Sequence, residues 1–410
     1  MKNNTLWSLP FLMMILISAF DSMGHMMLQF MISSYAVDIG ISAALAATLV
    51  SVISVSSLVM RPVAGALVDA LNKKRLLIGS LVGLCAAMVC YLFAHNFVTL
   101  LLARLIHGLS YGITTVAAVT IAGSLVPRDR IGSGIAIYGM GNTISVIFGT
   151  KVAQLIYGAG GAKWLFSACL LCSACGLLLA VFLPLRNQSR KGGFSLKATL
   201  LNVFTKEALP FALLNGLFSG SQAINSAFMV IYFTLRASLG KGIGDAGITL
   251  MIWGIAIFVV RPLVGRMYDR LGFVPSVSIC MTCSTLYMVV LALSPGPWFT
   301  YLATFVIGGF GGCSGSVLQS ATYESAPLGR KGAANSTQLM GSDIGAALGG
   351  VLAGWSVTYF ARDELPLFGY QVSWLLCCLP LILAIVLAVL FRKLNVVRPA
   401  SRMEQDAQPV

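Results

Sequence analysis

Apolar residues run along this chain in blocks of roughly 20, long enough to cross a bilayer as helices, separated by short polar breaks. Twelve such blocks are predicted, at about 8–34, 43–62, 76–94, 97–125, 131–157, 163–185, 209–235, 245–265, 274–293, 297–325, 331–358 and 369–392. The first follows a short polar start with Lys2 and runs past the length of a signal h-region, which predicts a retained helix. The pattern therefore predicts an all-α membrane protein with six spans in each half. The expected organisation is a bundle over 1–186, a cytoplasmic linker over 187–208, a second bundle over 209–393 and a polar tail over 394–410. Within the linker, residues 194–201 place apolar side chains at helical spacing with Lys197 on the other face, predicting a helix in the membrane interface. The composition of the tail, with Pro399 and Pro409, predicts disorder.

The two halves repeat one another. Arg61-Pro62-Val63-Ala64-Gly65-Ala66-Leu67-Val68-Asp69 returns as Arg261-Pro262-Leu263-Val264-Gly265-Arg266-Met267-Tyr268-Asp269, an offset of 200 residues. The same offset carries Gly108 and Gly112 onto Gly308 and Gly312, and Pro127, Arg130 and Gly132 onto Pro327, Arg330 and Gly332. A duplication of this size in a membrane chain is the mark of a transporter whose halves rock about a central site.

Composition sharpens the class. The chain is 58% hydrophobic and 10% charged, against a charged share of about 25% in ordinary soluble domains. A formal net charge of +14 would suit a nucleic-acid partner, but the cations are distributed by side. With the N-terminus inside, the cytoplasmic set includes Arg61, Lys73, Lys74, Arg75, Arg128, Arg130, Arg261, Arg330, Arg392 and Lys393. The outer loops hold only Lys163, Arg236, Lys241 and Arg362. That asymmetry is the positive-inside rule, predicting a cytoplasmic (inner) membrane protein with both termini in the cytoplasm and no nucleic-acid partner. The cysteines, including Cys169, Cys172 and Cys175, lie in apolar spans without His or carboxylate partners, so no metal is expected. No phosphate loop and no nucleophile–base spacing occurs, which argues against ATP as the energy source, against an enzyme and against a cofactor.

Gly65-x-x-x-Asp69, followed by Lys73-Lys74-Arg75, sits where the second span meets the cytoplasm. Gly permits close helix contact, and a carboxylate there can accept hydrogen bonds from a neighbouring helix N-terminus. In these residues the chain resembles the major facilitator superfamily, whose loop between helices 2 and 3 carries Gly-x-Leu-x-Asp-x-x-Gly-Arg-Lys and whose second half repeats it more weakly. Asn72 replaces the second Gly, and Ala70 the usual basic residue. The resemblance covers the whole chain. It implies twelve helices in two pseudo-symmetric six-helix bundles, working as a monomer on a small-molecule substrate and protons. It also implies that Gly65, Asp69, Lys73, Arg75, Gly265 and Asp269 govern conformational change, not substrate binding.

Ionisable groups near the bilayer midplane cost about 2.5–3.5 kcal/mol on insertion scales and read as functional. Asp21, His25 and Gln29 share one face of span 1, and Arg104, His107 and Tyr111 form a stripe on span 4. Leu102-Ala103-Arg104-x-x-His107-Gly108 resembles the superfamily's helix 4 motif, an Arg followed by a Gln-Gly pair. In the drug/proton antiporter branch that Arg lies near an acidic residue of helix 1, which implies a proton-coupling pair of Asp21 and Arg104, assisted by His25 and His107. A static ion pair locking two helices is the competing reading. Lys151 stands where antiporters of this superfamily carry Gly-Pro; it either snorkels to the interface or faces the cavity, as an anchor for an anionic substrate or as a partner for Asp21 or Asp343. Asp343, with Asn335 and Gln338 before it, is expected in the cavity. Asn215, Gln222 and Asn225 on span 7, and Gln319, Ser320 and Tyr323 on span 10, suit either substrate hydrogen bonding or interhelical packing. The expected function is proton-coupled export of a drug-like or small organic metabolite. The alternative is proton-coupled import of a small organic anion, sugar or peptide-like nutrient.

Overall fold

The computed structural model describes residues 7–185, 204–362, 365 and 367–393. The interfacial helix expected around Lys197 and the tail after 393 lie outside the described residues. The regular structure is α1 (Leu9–Asp38), α2 (Ala43–Ala70), α3 (Lys73–Leu92), α4 (Phe97–Leu125), α5 (Ile131–Tyr138), α6 (Met140–Phe182), α7 (Leu209–Ser238), α8 (Ala246–Leu271), α9 (Phe273–Leu293), α10 (Pro297–Ser325), α11 (Lys331–Tyr359) and α12 (Phe368–Lys393). The fifth span is α5 with the first part of α6. Gly161, at φ 70° in the left-handed region that favours glycine, turns α6 into the sixth span. Among the described residues ten spans reach the length and hydropathy of a membrane crossing. The helices α7 and α11 are as long but more polar, and they carry most of the polar positions predicted for the second half.

The apolar pattern stops the second span at Pro62, yet α2 runs through it to Ala70, and α8 likewise runs through Pro262 to Leu271. A proline in a membrane helix is tolerated because neighbouring groups take up the freed backbone carbonyl. Arg61 and Arg261 are therefore side chains of packed helices, not loop cations; Arg61 is buried, and Arg261 donates from Nε to Ser316 Oγ at 3.0 Å. Arg236, expected in an outer loop, is instead buried near the end of α7. There it donates to the Lys241 carbonyl at 2.9 Å, the Tyr232 hydroxyl at 3.1 Å and the Ser294 carbonyl at 2.9 Å.

The divergence of the doubled phrase has a local cause. Asn72 lies at φ −67° and caps α3, its side chain accepting from the Arg75 amide, so nothing there demands glycine. Its counterpart Gly272 ends α8 at φ 79°, where glycine is favoured.

Contacts divide the chain into two units. One gathers residues within Met1–Arg128, Ile137–Thr205 and Pro327–Thr337; the other gathers Asp129–Ala136, Lys206–Ala326 and Gln338–Val410. In the first unit α1 lies along α6, while α2 and α3 pack on α4. The α1–α6 approach is close because small residues face it. A Cβ on Gly141 would stand 2.6 Å from the Ile15 carbonyl oxygen, and Ser145 Oγ donates to the Ala19 carbonyl at 3.0 Å. The core beside it is built on Met27, Leu28, Tyr35, Tyr91, Leu165 and Phe166. In the second unit α7 meets α11 in the same manner, with Gly216 and Gly220 against Gly341 and Gly345. Its core centres on Phe211, Tyr232, Tyr287 and Trp374. Small residues let helix backbones approach where lipid offers no hydrophobic drive to association.

Candidate functional site

The first unit assembles a polar cluster from α1, α3 and α4. The His25 ring stacks on Tyr111 with centroids 4.1 Å apart and meets His107 edge-on at 5.4 Å. His107 is 1% exposed, and its Nδ1 lies 3.5 Å from the Tyr91 hydroxyl. Arg104 is 0% exposed, with its guanidinium carbon 5.9 Å from the centre of the Tyr91 ring. Among the described residues no group accepts a hydrogen bond from its Nε, Nη1 or Nη2. The Tyr91 hydroxyl is the close polar neighbour of the guanidinium, just short of full hydrogen-bond geometry.

Asp21 and Arg104 do not meet. Asp21 is 9% exposed on α1 and makes no ion pair with the arginine. The ring contacts give the reason. The helices α1 and α4 run in opposite directions, and His25 faces Tyr111 and His107. Asp21 lies one turn from His25 towards the start of α1, whereas Arg104 lies one turn from His107 towards the start of α4. Each step leads away from the other residue, by about 5 Å per turn. His25 and His107 thus stand between the two groups expected to pair. Gln29, the third member of the α1 stripe, is half-buried beyond His25, and its Oε1 finds no donor among the described residues.

Lys151 is exposed on α6. It shares a face with Phe148 and Leu155, three residues before and four after, both large apolar side chains that are also exposed. An ammonium on such a face extends along apolar surface to reach a polar boundary. Lys151→Ala is accordingly expected to leave transport of anionic and neutral compounds within about twofold of wild type, the scale of a surface change. Proteoliposome flux with both compound classes checks this, and selective loss of anion transport would place Lys151 in the substrate path.

In the second unit the polar stripe of α7 is engaged in helix-to-helix hydrogen bonds. Gln222 Nε2 donates to Ser284 Oγ at 2.7 Å, and Asn225 Nδ2 donates to Gln222 Oε1 at 2.8 Å. Trp374 Nε1 donates to Asn225 Oδ1 at 3.0 Å, so the chain of bonds ties α7 to α9 and α12. Asn215 Nδ2 reaches the Gln338 carbonyl of α11 at 3.4 Å. Gln319 is half-buried, Tyr323 is buried, and Asp343 is half-buried on α11. Gln338 is 2% exposed, and its Oε1 receives no hydrogen bond from the described residues. Gln222→Leu would strand the partners on both sides. The expected cost is about 1–3 kcal/mol, read as a lower thermal midpoint of the purified protein in detergent.

The two copies of the phrase make matching contacts, each within one unit. Asp69 accepts from the Gly332 amide at 2.7 Å and the Ala333 amide at 2.8 Å, capping the start of α11. Asp269 accepts from the Gly132 amide at 2.7 Å and the Ser133 amide at 3.0 Å, and Ser133 Oγ also donates to it, capping α5. Gly65 and Gly265 permit these approaches. A Cβ on Gly65 would sit 2.9 Å from the Ala333 Cα, and one on Gly265 would sit 2.7 Å from the Ser133 Cα.

Duplicated six-span halves, each with an acidic residue capping a helix in this way, match a known pattern: the sequence profile described as the Major Facilitator Superfamily aligns with residues 14–295 and again with 211–409. The chain belongs to the Major Facilitator Superfamily. It is 25% identical over 388 residues to a chloramphenicol resistance protein of Streptomyces lividans, covering 92% of this chain and 96% of the relative. It is 23% identical over 355 residues to the MFS-type transporter YhhS of Escherichia coli, covering 82% and 84%. Its fold matches the crystal structure of the Escherichia coli fucose:proton symporter FucP with a TM-score of 0.73 at 13% identity, covering 94% of this chain and 99% of that one. It is a multi-pass membrane transporter of small molecules, with drug-resistance proteins among its relatives.

Seen as a superfamily member, the chain holds groups in its site that single-sequence reading passes over. Tyr91 is one: a lone tyrosine in an apolar span gives no periodic signal, yet it closes the cluster behind His107 and Arg104. The capped residues Gly132 and Gly332 do carry a signal, since the 200-residue offset relates them. What the repeat does not specify is that each receives a carboxylate from the phrase.

Proposed function

We propose that this transporter exports a drug-like or small organic metabolite in exchange for protons, as a monomer in the cytoplasmic membrane with both termini in the cytoplasm. The observation that carries this reading is Asp21, a carboxyl group 9% exposed within a membrane helix, one turn along α1 from the His25–His107 pair. An intramembrane carboxyl group without a paired cation is poised to exchange a proton when its surroundings change. In this reading Asp21 carries the proton. His25, His107 and Arg104 bias its charge through the ring cluster, and the capping contacts of Asp69 and Asp269, with Gly65, Lys73, Arg75 and Gly265, set the conformational equilibrium of alternating access. Gln29, Tyr111, Gln319, Tyr323, Gln338 and Asp343 are the proposed substrate contacts. Gln222 and Asn225 then act by holding helices in place, since their amides are engaged with Ser284 and Trp374. Similarity to a chloramphenicol resistance protein supports a drug-like cargo and the outward direction.

The test is a pH-jump flux assay in proteoliposomes over a panel of cationic, neutral and anionic compounds. Movement of cargo against the proton flow is the expected result. Movement with the proton flow would establish the import reading instead, and flux indifferent to the pH jump would remove proton coupling.

A further inference from the structure

We infer that Arg104 forms the floor of a binding site for one small anionic group, a carboxylate or a halide, within the first unit. The guanidinium offers five N–H donors in a planar fork, and here all three nitrogens are buried with no acceptor among the described residues. A buried charge left unpaired is strongly destabilising. The nearby Tyr91 ring, at 5.9 Å, offsets only part of that cost. The described residues place no carboxylate to make up the rest, because Asp21 lies on the far side of the histidine pair.

The groups surrounding the guanidinium also select for sign. Tyr91 presents a hydroxyl, and His107 and His25 ring nitrogens; these can donate a hydrogen bond, as can the amide of Gln29 one turn beyond His25 on α1. None is a fixed negative charge, so a cation gains nothing here, while an anion would meet a fork and a ring of donors. The cluster also reaches outward: Arg104, Tyr91 and His107 are buried, whereas His25, Gln29 and Tyr111 are only half-buried. Polar groups therefore continue from the unpaired cation to partly exposed positions. One atom on that path that can donate, His25 Nδ1, is likewise without a partner among the described residues. A carboxylate matches the fork in the bidentate geometry that makes Arg–carboxylate pairs strong.

The anion could be the carboxylate of the transported molecule or a free inorganic ion such as chloride. The site stands on its own geometry, and only its assignment to the cargo rests on the proposed transport function. The experiment uses the purified full chain in detergent at constant ionic strength, replacing methanesulfonate by chloride, acetate or benzoate, with methyl acetate as a neutral control. A saturable rise in the thermal midpoint with an anion, absent with methyl acetate, is expected. Arg104→Gln should weaken the apparent affinity by about ten- to hundredfold, the factor that a charge-assisted hydrogen bond supplies. Gln29→Leu, which leaves the arginine in place, should weaken it by a smaller factor and keeps the test decisive if Arg104→Gln does not fold. Saturation by chloride without competition from benzoate identifies an inorganic ion; displacement of chloride by benzoate identifies an organic carboxylate. No saturable anion response in the wild type, or an equal response in Arg104→Gln, overturns the site. Anion binding that persists in a protein without proton-driven flux would sink the proton-coupled reading and leave the site standing.

Discussion

Asp21→Asn is expected to abolish proton-driven accumulation while leaving the protein folded. The carboxyl group is the one acid on the α1 stripe, and it sits 9% exposed beside His25 without an ion pair to Arg104. Asparagine keeps its size and can fill the same hydrogen-bonding space, but it cannot carry a proton. One pH unit across the membrane supplies about 1.4 kcal/mol per proton, a tenfold concentration ratio. The variant in proteoliposomes should therefore relax to an inside-to-outside ratio near unity where the wild type sustains about tenfold. Its thermal midpoint should not fall, because removing a buried ionisable group that has no ion-pair partner strands no charge. An Asp21→Asn variant that still concentrates its cargo at the wild-type rate would move the proton carrier elsewhere.

The second large effect is expected from Asp69→Ala. The carboxylate holds the Gly332 and Ala333 amides at 2.7 and 2.8 Å, and these are first-turn donors of α11 that have no partner within the helix. A hydrogen bond to a charged group contributes about 1.5–3 kcal/mol, and the helix dipole favours negative charge at this end. Losing both bonds should expose the start of α11 and shift the conformational equilibrium by about tenfold or more. Hydrogen exchange over residues 331–337 should accelerate in Asp69→Ala, and the transport rate should fall with it. Asp69→Asn, which keeps a neutral acceptor, should lie between. Exchange that stays at the wild-type rate in the Ala variant would show that the cap does not hold this end. Asp269→Ala makes the same prediction for the start of α5, through the Gly132 and Ser133 amides.

Two signals that need no tertiary information lead from the sequence to the fold. Apolar runs of membrane length mark the spans, and the offset between Arg61–Asp69 and Arg261–Asp269 marks the duplication. The end of the second span is misplaced by sequence because proline ends helices in water, whereas α2 passes through Pro62 among packed neighbours, as α8 does through Pro262. For the site, helical periodicity identifies the α1 and α4 stripes, since it shows which residues share a face. The pairing of Asp21 with Arg104 fails, because periodicity says nothing about the level at which two antiparallel helices meet. The α7 stripe leaves two readings open for a related reason. An amide on a polar face binds a ligand or a neighbouring helix according to what stands opposite, and here Ser284 and Trp374 do.

The sequence by itself determined a duplicated, twelve-span membrane protein, its buried charges, and the acidic residue that each half carries at a fixed place in its phrase. These are properties of length, hydropathy and repetition, read along one dimension. Only the tertiary structure decided which amides those acids cap, which polar side chains are engaged between helices, and that Arg104 lies at full burial without an acceptor among the described residues. The physical reason is that pairing depends on distances of a few ångströms between helices, and those are set by the small residues through which α1 meets α6 and α7 meets α11.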